Sequence, residues 1–309
     1  MKPDTDILEK YDMDTEENNE EQDVINQCVI DIKKLKEDVQ EIKALLLHTQ
    51  TIDDYSVQWT KYTHHEGYYA SNELFEDIIE PLLTVSDIKG SKVADIGSGN
   101  GRTVDMLLGA EPSKVLAVEP SNAFQVLEGK FKTNNRVQLL NAPGDKLPPE
   151  SQLDYVISLG VIHHIPKPDP VVRAAYNALK PGGKIFIWLY GKEGNRLYLF
   201  FVTPLRYITK HLPHFLLVGM SWMFDLLLFP YIKLCKILPL PMQKYMVDYL
   251  DKLPNDDRRL TIYDQLNPYH AKYYTRQEAT NLLERNGFSD IKTHQRHGYS
   301  WSVLGTKPS

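Results

Sequence analysis

Asp95 and the glycines at 97, 99 and 101 are the residues whose types and spacing most clearly point to chemistry. They follow a strand-like run at 92–96, and helix-forming sequence resumes at Thr103. Glycines at alternate positions let the backbone turn tightly and approach a ligand where any Cβ would collide. A helix starting just behind them aims free N–H groups at an anionic group. This is the pattern of a nucleotide-type cofactor loop. A second group, His163-His164, follows another apolar run, and imidazole titrates near neutral pH, which suits acid–base work. His164 is the stronger candidate base; the alternative is that one or both histidines cap the strand or touch the cofactor. A third group, Tyr263-Asp264-Gln265-Leu266-Asn267-Pro268-Tyr269-His270, combines charge, hydrogen-bonding groups and aromatic rings. It reads either as a substrate wall, through Tyr263, Asp264, Tyr269 and His270, or as an ordinary packed turn.

The elements that must position these groups alternate regularly. Strands are expected at 92–96, 114–119, 136–140, 153–159 and 184–190, with helices near 102–108, 122–132 and 171–179. Repeated β-α-β with near-continuous apolar strands predicts a parallel sheet covered on both faces. Ligands of such sheets bind at the carboxyl ends of the strands, by the switch in strand order. Thr275, with Glu278 three residues on, predicts a capped helix over 275–287, and closing strands follow at 289–294 and 300–305.

The dinucleotide fingerprint would place its third glycine at 102, which is Arg102. The order found here, with Asp95 ahead of it, resembles motif I of the class I S-adenosylmethionine (SAM) dependent methyltransferases. Val115-Leu116-Ala117-Val118-Glu119-Pro120-Ser121 is similar to that family's second motif. Leu153-Asp154-Tyr155-Val156-Ile157-Ser158, followed by Val161-Ile162-His163-His164-Ile165, is similar to its fourth-strand motif. Leu179-Lys180-Pro181-Gly182-Gly183-Lys184 is similar to the turn before strand five. The resemblance covers about residues 91–190 in the right order. It implies a Rossmann-like α/β fold with a seven-stranded, mostly parallel sheet, helices on both faces, and a closing antiparallel hairpin. It also implies SAM as cofactor, with S-adenosyl-L-homocysteine as product, held by Asp95, Gly97, Ser98, Gly99, Gly101, Glu119 and Ser158. Glu119 would take the two ribose hydroxyls, for which a carboxylate is a natural acceptor. The phrase Asn141-Ala142-Pro143-Gly144-Asp145-Lys146-Leu147-Pro148 departs from the pattern. The family's usual acid there falls on Pro143, so the adenine contact is assigned to the backbone of Ala142 or the side chain of Asn141.

Outside the core, residues 1–23 hold ten acids against two lysines and predict a mobile acidic tail. Ile25, Cys28, Ile32, Leu35, Val39, Ile42 and Leu46 alternate by three and four, so 24–49 reads as an amphipathic helix, either a short coiled coil or one packed on its parent domain. Neither alternative gives that helix a role in chemistry. Residues 50–90 read as an aromatic-rich helical cap. His64 and His65 are adjacent and point to different sides, a poor metal pair, and no metal is expected. Residues 191–262 interrupt the sheet before its last strands, and 263–309 return to it. The insertion is apolar from 211 to 231, with Asp225 its one clear charge, and three readings stay open: a helical lid, a homodimer surface or a membrane-surface patch.

The 309 residues carry a net charge of −6, which gives no general footprint for nucleic acid. Two distant cysteines and an acidic N-terminus without an apolar signal core point to a reducing, cytoplasmic setting. The leading expectation is a SAM-dependent methyltransferase acting on an oxygen or carbon of a small organic acceptor: a sugar, a lipid-linked intermediate or a secondary metabolite. The Asn/Asp-Pro-Pro-aromatic tetrad that grips an amino group is replaced by Ser158-Leu159-Gly160-Val161, so nitrogen is disfavoured. The rivals are a SAM-binding scaffold without transfer activity and an RNA or protein methyltransferase.

Overall fold

The computed structural model describes residues 5–63 and 67–309, with side chains from residue 25 onward; His64 and His65 lie outside them. Helix α1 (Thr5–Lys61) opens the chain, followed by α2 (Asn72–Ile79) and the short α3 (Val85–Ile88). The core then runs β1 (Lys92–Ile96), α4 (Arg102–Gly109), β2 (Lys114–Val118), α5 (Phe124–Phe131), β3 (Val137–Leu140), β4 (Leu153–Leu159), α6 (Asp169–Ala178) and β5 (Leu179–Tyr190). The insertion contributes α7 (Arg196–Thr209), α8 (His214–Cys235) and α9 (Asn255–Leu266). Helix α10 (Arg276–Glu284) and strands β6 (Ser289–Arg296) and β7 (Ser300–Thr306) close the chain.

Among the described residues the strands form one seven-stranded sheet in the order β3-β2-β1-β4-β5-β7-β6. β1 to β5 pair in parallel, and β7 pairs antiparallel with both β5 and β6. The core strands are buried nearly end to end: Val93, Ala94, Val115, Ala117, Val156, Ile157, Phe186 and Ile187 are fully enclosed. Apolar runs of this kind are what a sheet covered on both faces requires. Because β2 and β4 flank β1, the connections leave β1 in opposite directions. A crevice therefore opens at the carboxyl ends of β1 and β4. Thr275 caps α10 reciprocally with Glu278: its side chain accepts from the Glu278 N–H (3.2 Å), and the Glu278 carboxylate accepts from the Thr275 N–H (2.8 Å).

Three expectations about the segments around the core are corrected. The acid-rich segment from residue 5 is helical rather than a mobile tail, since glutamates are good helix formers and acids near a helix N-terminus suit its dipole. The boundary placed at 49/50 does not exist, because α1 runs unbroken to Lys61. The chain instead divides into two compact units at Leu46/Leu47. In the first unit the seam residues Ile25, Ile32, Leu35, Val39, Ile42 and Leu46 are all exposed, so the stripe does not serve as core. In the second, the last turns of α1 carry Thr51, Ser56 and Gln58, all buried, so this part of the helix does belong to the chemistry-bearing body. Cys28 is exposed and Cys235 buried, and both are free thiols.

Candidate cofactor and acceptor site

The loop after β1 turns on glycine. Gly97 has φ +80° and Gly101 φ +93°, in the left-handed region that strains other residues. A Cβ at Gly97 would collide with the Val161 side chain, and one at Gly101 with the Phe131 ring. Gly97 and Ser98 donate their N–H groups to the Val118 carbonyl (2.9 and 3.0 Å), tying the loop to the end of β2. Glu119, one residue past β2, is buried. Its Oε2 accepts from the Gly99 N–H (2.8 Å) and its Oε1 from the Ser121 N–H (2.9 Å). Each oxygen retains a further lone pair for a ligand hydroxyl.

Asp95 lies beneath this loop, 1% exposed. Burial pushes its carboxyl up to about 7, although the nearby Ser98 hydroxyl and Arg102 work against that rise. Ser98 Oγ donates to the Asp95 main-chain carbonyl (3.1 Å), which leaves both carboxylate oxygens without a hydrogen-bond partner among the described residues. A buried carboxylate so placed lacks a partner that a cationic or protic ligand group would provide.

One cavity gathers Gly97, Ser98, Gly99, Glu119 and His164 against walls from α1, β5, α7, α9 and the β6–β7 hairpin. The α1 wall is Thr51, Tyr55 and Trp59, with His48 at its edge; burial lowers the His48 pKa, against an opposing pull from Asp145. Tyr190, Tyr198, Tyr249, Tyr273 and Tyr299 also line it. Asp264 lines the same space. It accepts from Gln58 Nε2 (3.1 Å) and from the Tyr190 hydroxyl (3.0 Å), and burial raises its pKa despite those bonds. Gln265 continues the chain of bonds, donating to the Tyr190 oxygen (2.9 Å) and accepting from the Tyr198 hydroxyl (2.6 Å). Arg206 donates to the Gln265 carbonyl (3.0 Å) and to the Tyr273 hydroxyl (3.2 Å).

His164 has a defined tautomer. Its Nδ1 lies 2.8 Å from the His270 carbonyl, which can only accept, so the proton sits on Nδ1. Nε2 is then an acceptor, and the Tyr55 hydroxyl donates to it at 2.7 Å. Burial drives the His164 pKa down to about 3, against the pull of the His270 bond, so the ring is neutral. His163 is fully buried behind it, with ring centroids 3.8 Å from Tyr190 and 4.2 Å from His164, and burial lowers its pKa well below the usual value.

The remaining sequence expectations land unevenly. Gly101 shapes the loop from outside the cavity wall. Ser158 is buried and donates to the Ile96 carbonyl (3.1 Å), while Leu159, Gly160 and Val161 line the cavity in its place. Pro143 and Gly144 reach the wall rather than Ala142. Of the four substrate-side residues, Asp264 lines the cavity. Tyr263 turns away to His214 (2.7 Å), and Tyr269 packs under Lys210 Nζ, 4.6 Å from its ring centre. His270 contributes its carbonyl to His164 rather than its side chain. Two residues that the sequence reading passed over become central. Tyr55 carries no motif, and only its helical phase with Trp59, four residues on, could have placed both on one face. Arg296 lines the cavity pinned to Asp77 (Nε–Oδ2 2.8 Å). Burial would raise the Asp77 pKa, but hydrogen bonds from His297 and Arg296 outweigh it and leave about 2.

The family model described as "Methyltransferase domain" matches residues 94–185. A tRNA U34 carboxymethyltransferase of Desulfotalea psychrophila is 36% identical over 120 residues, 37% of this chain and 37% of that protein. A ubiquinone biosynthesis O-methyltransferase of Pseudomonas fluorescens is 28% identical over 133 residues, 41% of this chain and 56% of that protein. The chain spans less than two thirds of the length of these curated relatives. Among solved structures, a SAM dependent methyltransferase from Aquifex aeolicus shares 14% identity with a TM-score of 0.41, covering 72% of this chain and 85% of that one. Residues 94–185, which include the glycine loop and Glu119, match the methyltransferase-domain family model, and β6 and β7 outside that match complete the mostly parallel seven-stranded sheet, a combination consistent with a class I S-adenosylmethionine-dependent methyltransferase.

Proposed function

We propose that the chain is a SAM-dependent methyltransferase that methylates an oxygen, or an activated carbon, of a small organic acceptor. The observation that carries this reading is the convergence of the glycine loop, Glu119 and the neutral imidazole of His164 on one cavity. The site fits the cofactor on two counts: the unpartnered Asp95 carboxylate and a loop whose glycines leave room that a Cβ would fill. Glu119 would hold the ribose hydroxyls, the Gly97–Gly99 backbone would follow the cofactor chain, and Asp95 would balance its positive charge. When bound, SAM supplies a methyl group already activated on a sulfonium.

The chain's own residues then align the acceptor, exclude water and accept a proton. The tyrosine wall suits an aromatic or hydroxylated ring. An acceptor O–H would donate to Tyr55 Oη, which donates to His164 Nε2. Methyl transfer to that oxygen would make its proton strongly acidic. Even a weakly basic imidazole then suffices to take its proton through Tyr55. In this reading His163 is a positioning residue that holds the His164 ring.

A tRNA acceptor is the second reading, favoured by the name of the 36%-identical relative. Incubation with labelled SAM and fractionated cell extract tests both. Label in a small-molecule fraction supports the first reading, and label in the RNA fraction supports the second. Cofactor binding without transfer to any fraction would leave a SAM-binding scaffold.

A further inference from the structure

Helices α7 and α8 lay their inner faces on α9. Leu205 from α7, with Leu217 and Phe224 from α8, packs with Ile262, Tyr263 and Leu266. Their outer faces are left uncovered and apolar: Phe200 is 72% exposed, Phe215 71% and Leu226 75%. Trp222 stands among them, and Ile237 continues the face just beyond α8. Among the described residues α8 is the helix long and apolar enough to cross a membrane, and only 22% of its most apolar stretch is buried. No residue of α8 lines the cavity, so this helix does not act as its lid.

The stretch that carries this face is rich in basic residues. From 194 to 247 the only acid is Asp225, against Arg196, Lys210, Lys233, Lys236 and Lys244, and Arg206, which turns inward to Gln265 and Tyr273. Asp225 is buried on the inner face, held by Arg258 (2.5 Å) and Arg259 (3.1 Å). Lys210 stands at the joint before α8, and Lys233 and Lys236 at its end, where both reach Asp251. The outer face is therefore an apolar strip with Lys210 at one end and, at the other, two lysines, Lys233 and Lys236, that share one carboxylate, Asp251.

We propose that the α7–α8 face docks on an anionic lipid bilayer, lying in its surface. Apolar side chains with aromatic residues among them and lysines at the margin match the boundary between acyl chains and negative headgroups. Two other occupants fit less well. A second copy across a twofold axis would bring lysine-edged margins together with no exposed acid of this stretch to pair with them. A bilayer-spanning α8 would have to leave α9 and carry Asp225 into hydrocarbon without its arginines.

The full-length protein would be floated with vesicles of phosphatidylcholine alone and of phosphatidylcholine mixed with phosphatidylglycerol. Binding to the anionic vesicles, weakened by salt, is expected, with about tenfold or greater loss in Leu226→Glu/Ile237→Glu at unchanged melting temperature. In the unaltered protein, brominated lipids should quench a part of the tryptophan emission that Trp222→Phe removes. Failure of the unaltered protein to bind either vesicle overturns the proposal, as does a dimer that Leu226→Glu dissociates without any vesicle binding. Resistance to alkaline carbonate extraction would also overturn it, in favour of a spanning helix.

Discussion

The loop side of the cavity comes from one short stretch of chain, Ile96 to Glu119, with Glu119 as its carboxylate. Another part of the wall is made of tyrosines brought from α1, β5, α7, the segment after α8 and the β6–β7 hairpin. The loop side has little freedom, because its glycines are fixed by φ and by the neighbours a Cβ would strike. The tyrosine side is held by a relay of hydrogen bonds through Gln58, Asp264, Tyr190, Gln265 and Tyr198. A methyl donor can be held by the same short grammar in many proteins, whereas a side-chain wall can be rebuilt residue by residue to suit an acceptor.

Four predictions test that contrast. The largest effect is expected from Arg258→Ala. It strands Asp225 without its main partner in a buried setting and should cost about 3–5 kcal/mol of stability by denaturant melting, loosening the insertion that supplies Tyr198. A melting curve unchanged within error would refute the anchoring role of that pair. Next, His164→Ala and Tyr55→Phe should each lower turnover about 100-fold or more while leaving the SAM dissociation constant within about twofold. Loss of cofactor affinity instead would move both residues to the cofactor side.

The third prediction concerns pH. Burial pushes the Asp95 carboxyl up to about 7 in the free protein, and a cationic cofactor bound near it would favour its charged form. SAM affinity measured by calorimetry should therefore fall by about tenfold per unit as pH drops below about 7. Asp95→Asn should bind weakly and without that slope. His164, with a pKa of about 3, stays neutral across the same window, so turnover at saturating cofactor should show no acid limb near pH 6.5 from this residue. An acid limb at that pH that disappears in His164→Ala would contradict the neutral imidazole. The smallest effect is expected from Tyr190→Phe. Removing one hydroxyl from the relay should cost about 1 kcal/mol and raise the acceptor KM more than it lowers kcat. An unchanged KM would place the acceptor elsewhere.

Amino-acid order alone determined the parts in which function follows local backbone geometry. The apolar runs placed β1 to β5 within a residue or two, apart from β5, which begins five residues early because Leu179 already pairs with Leu153, the Lys180–Gly183 turn forming an irregularity before the pairing resumes at Lys184. Asp95, the glycine loop and Glu119 could be read because each stands in a short contiguous phrase at the end of an apolar strand, although the bond from Gly99 to Glu119 joins two such phrases 20 residues apart. Tertiary structure alone decided the rest. Tyr55 and Gln58 face His164 and Asp264 across more than a hundred residues, and no local pattern encodes such pairings. The phrase around Tyr263 looked like one pocket wall, yet helix α9 sends Asp264 inward and Tyr263 to His214, because neighbouring residues on a helix point about 100° apart. Likewise the apolar run from 211 to 231 gave no sign of which side it would bury. Asp225 settled that by pairing with Arg258 and Arg259, which turned its own face inward and left Leu226 and Leu227 outside.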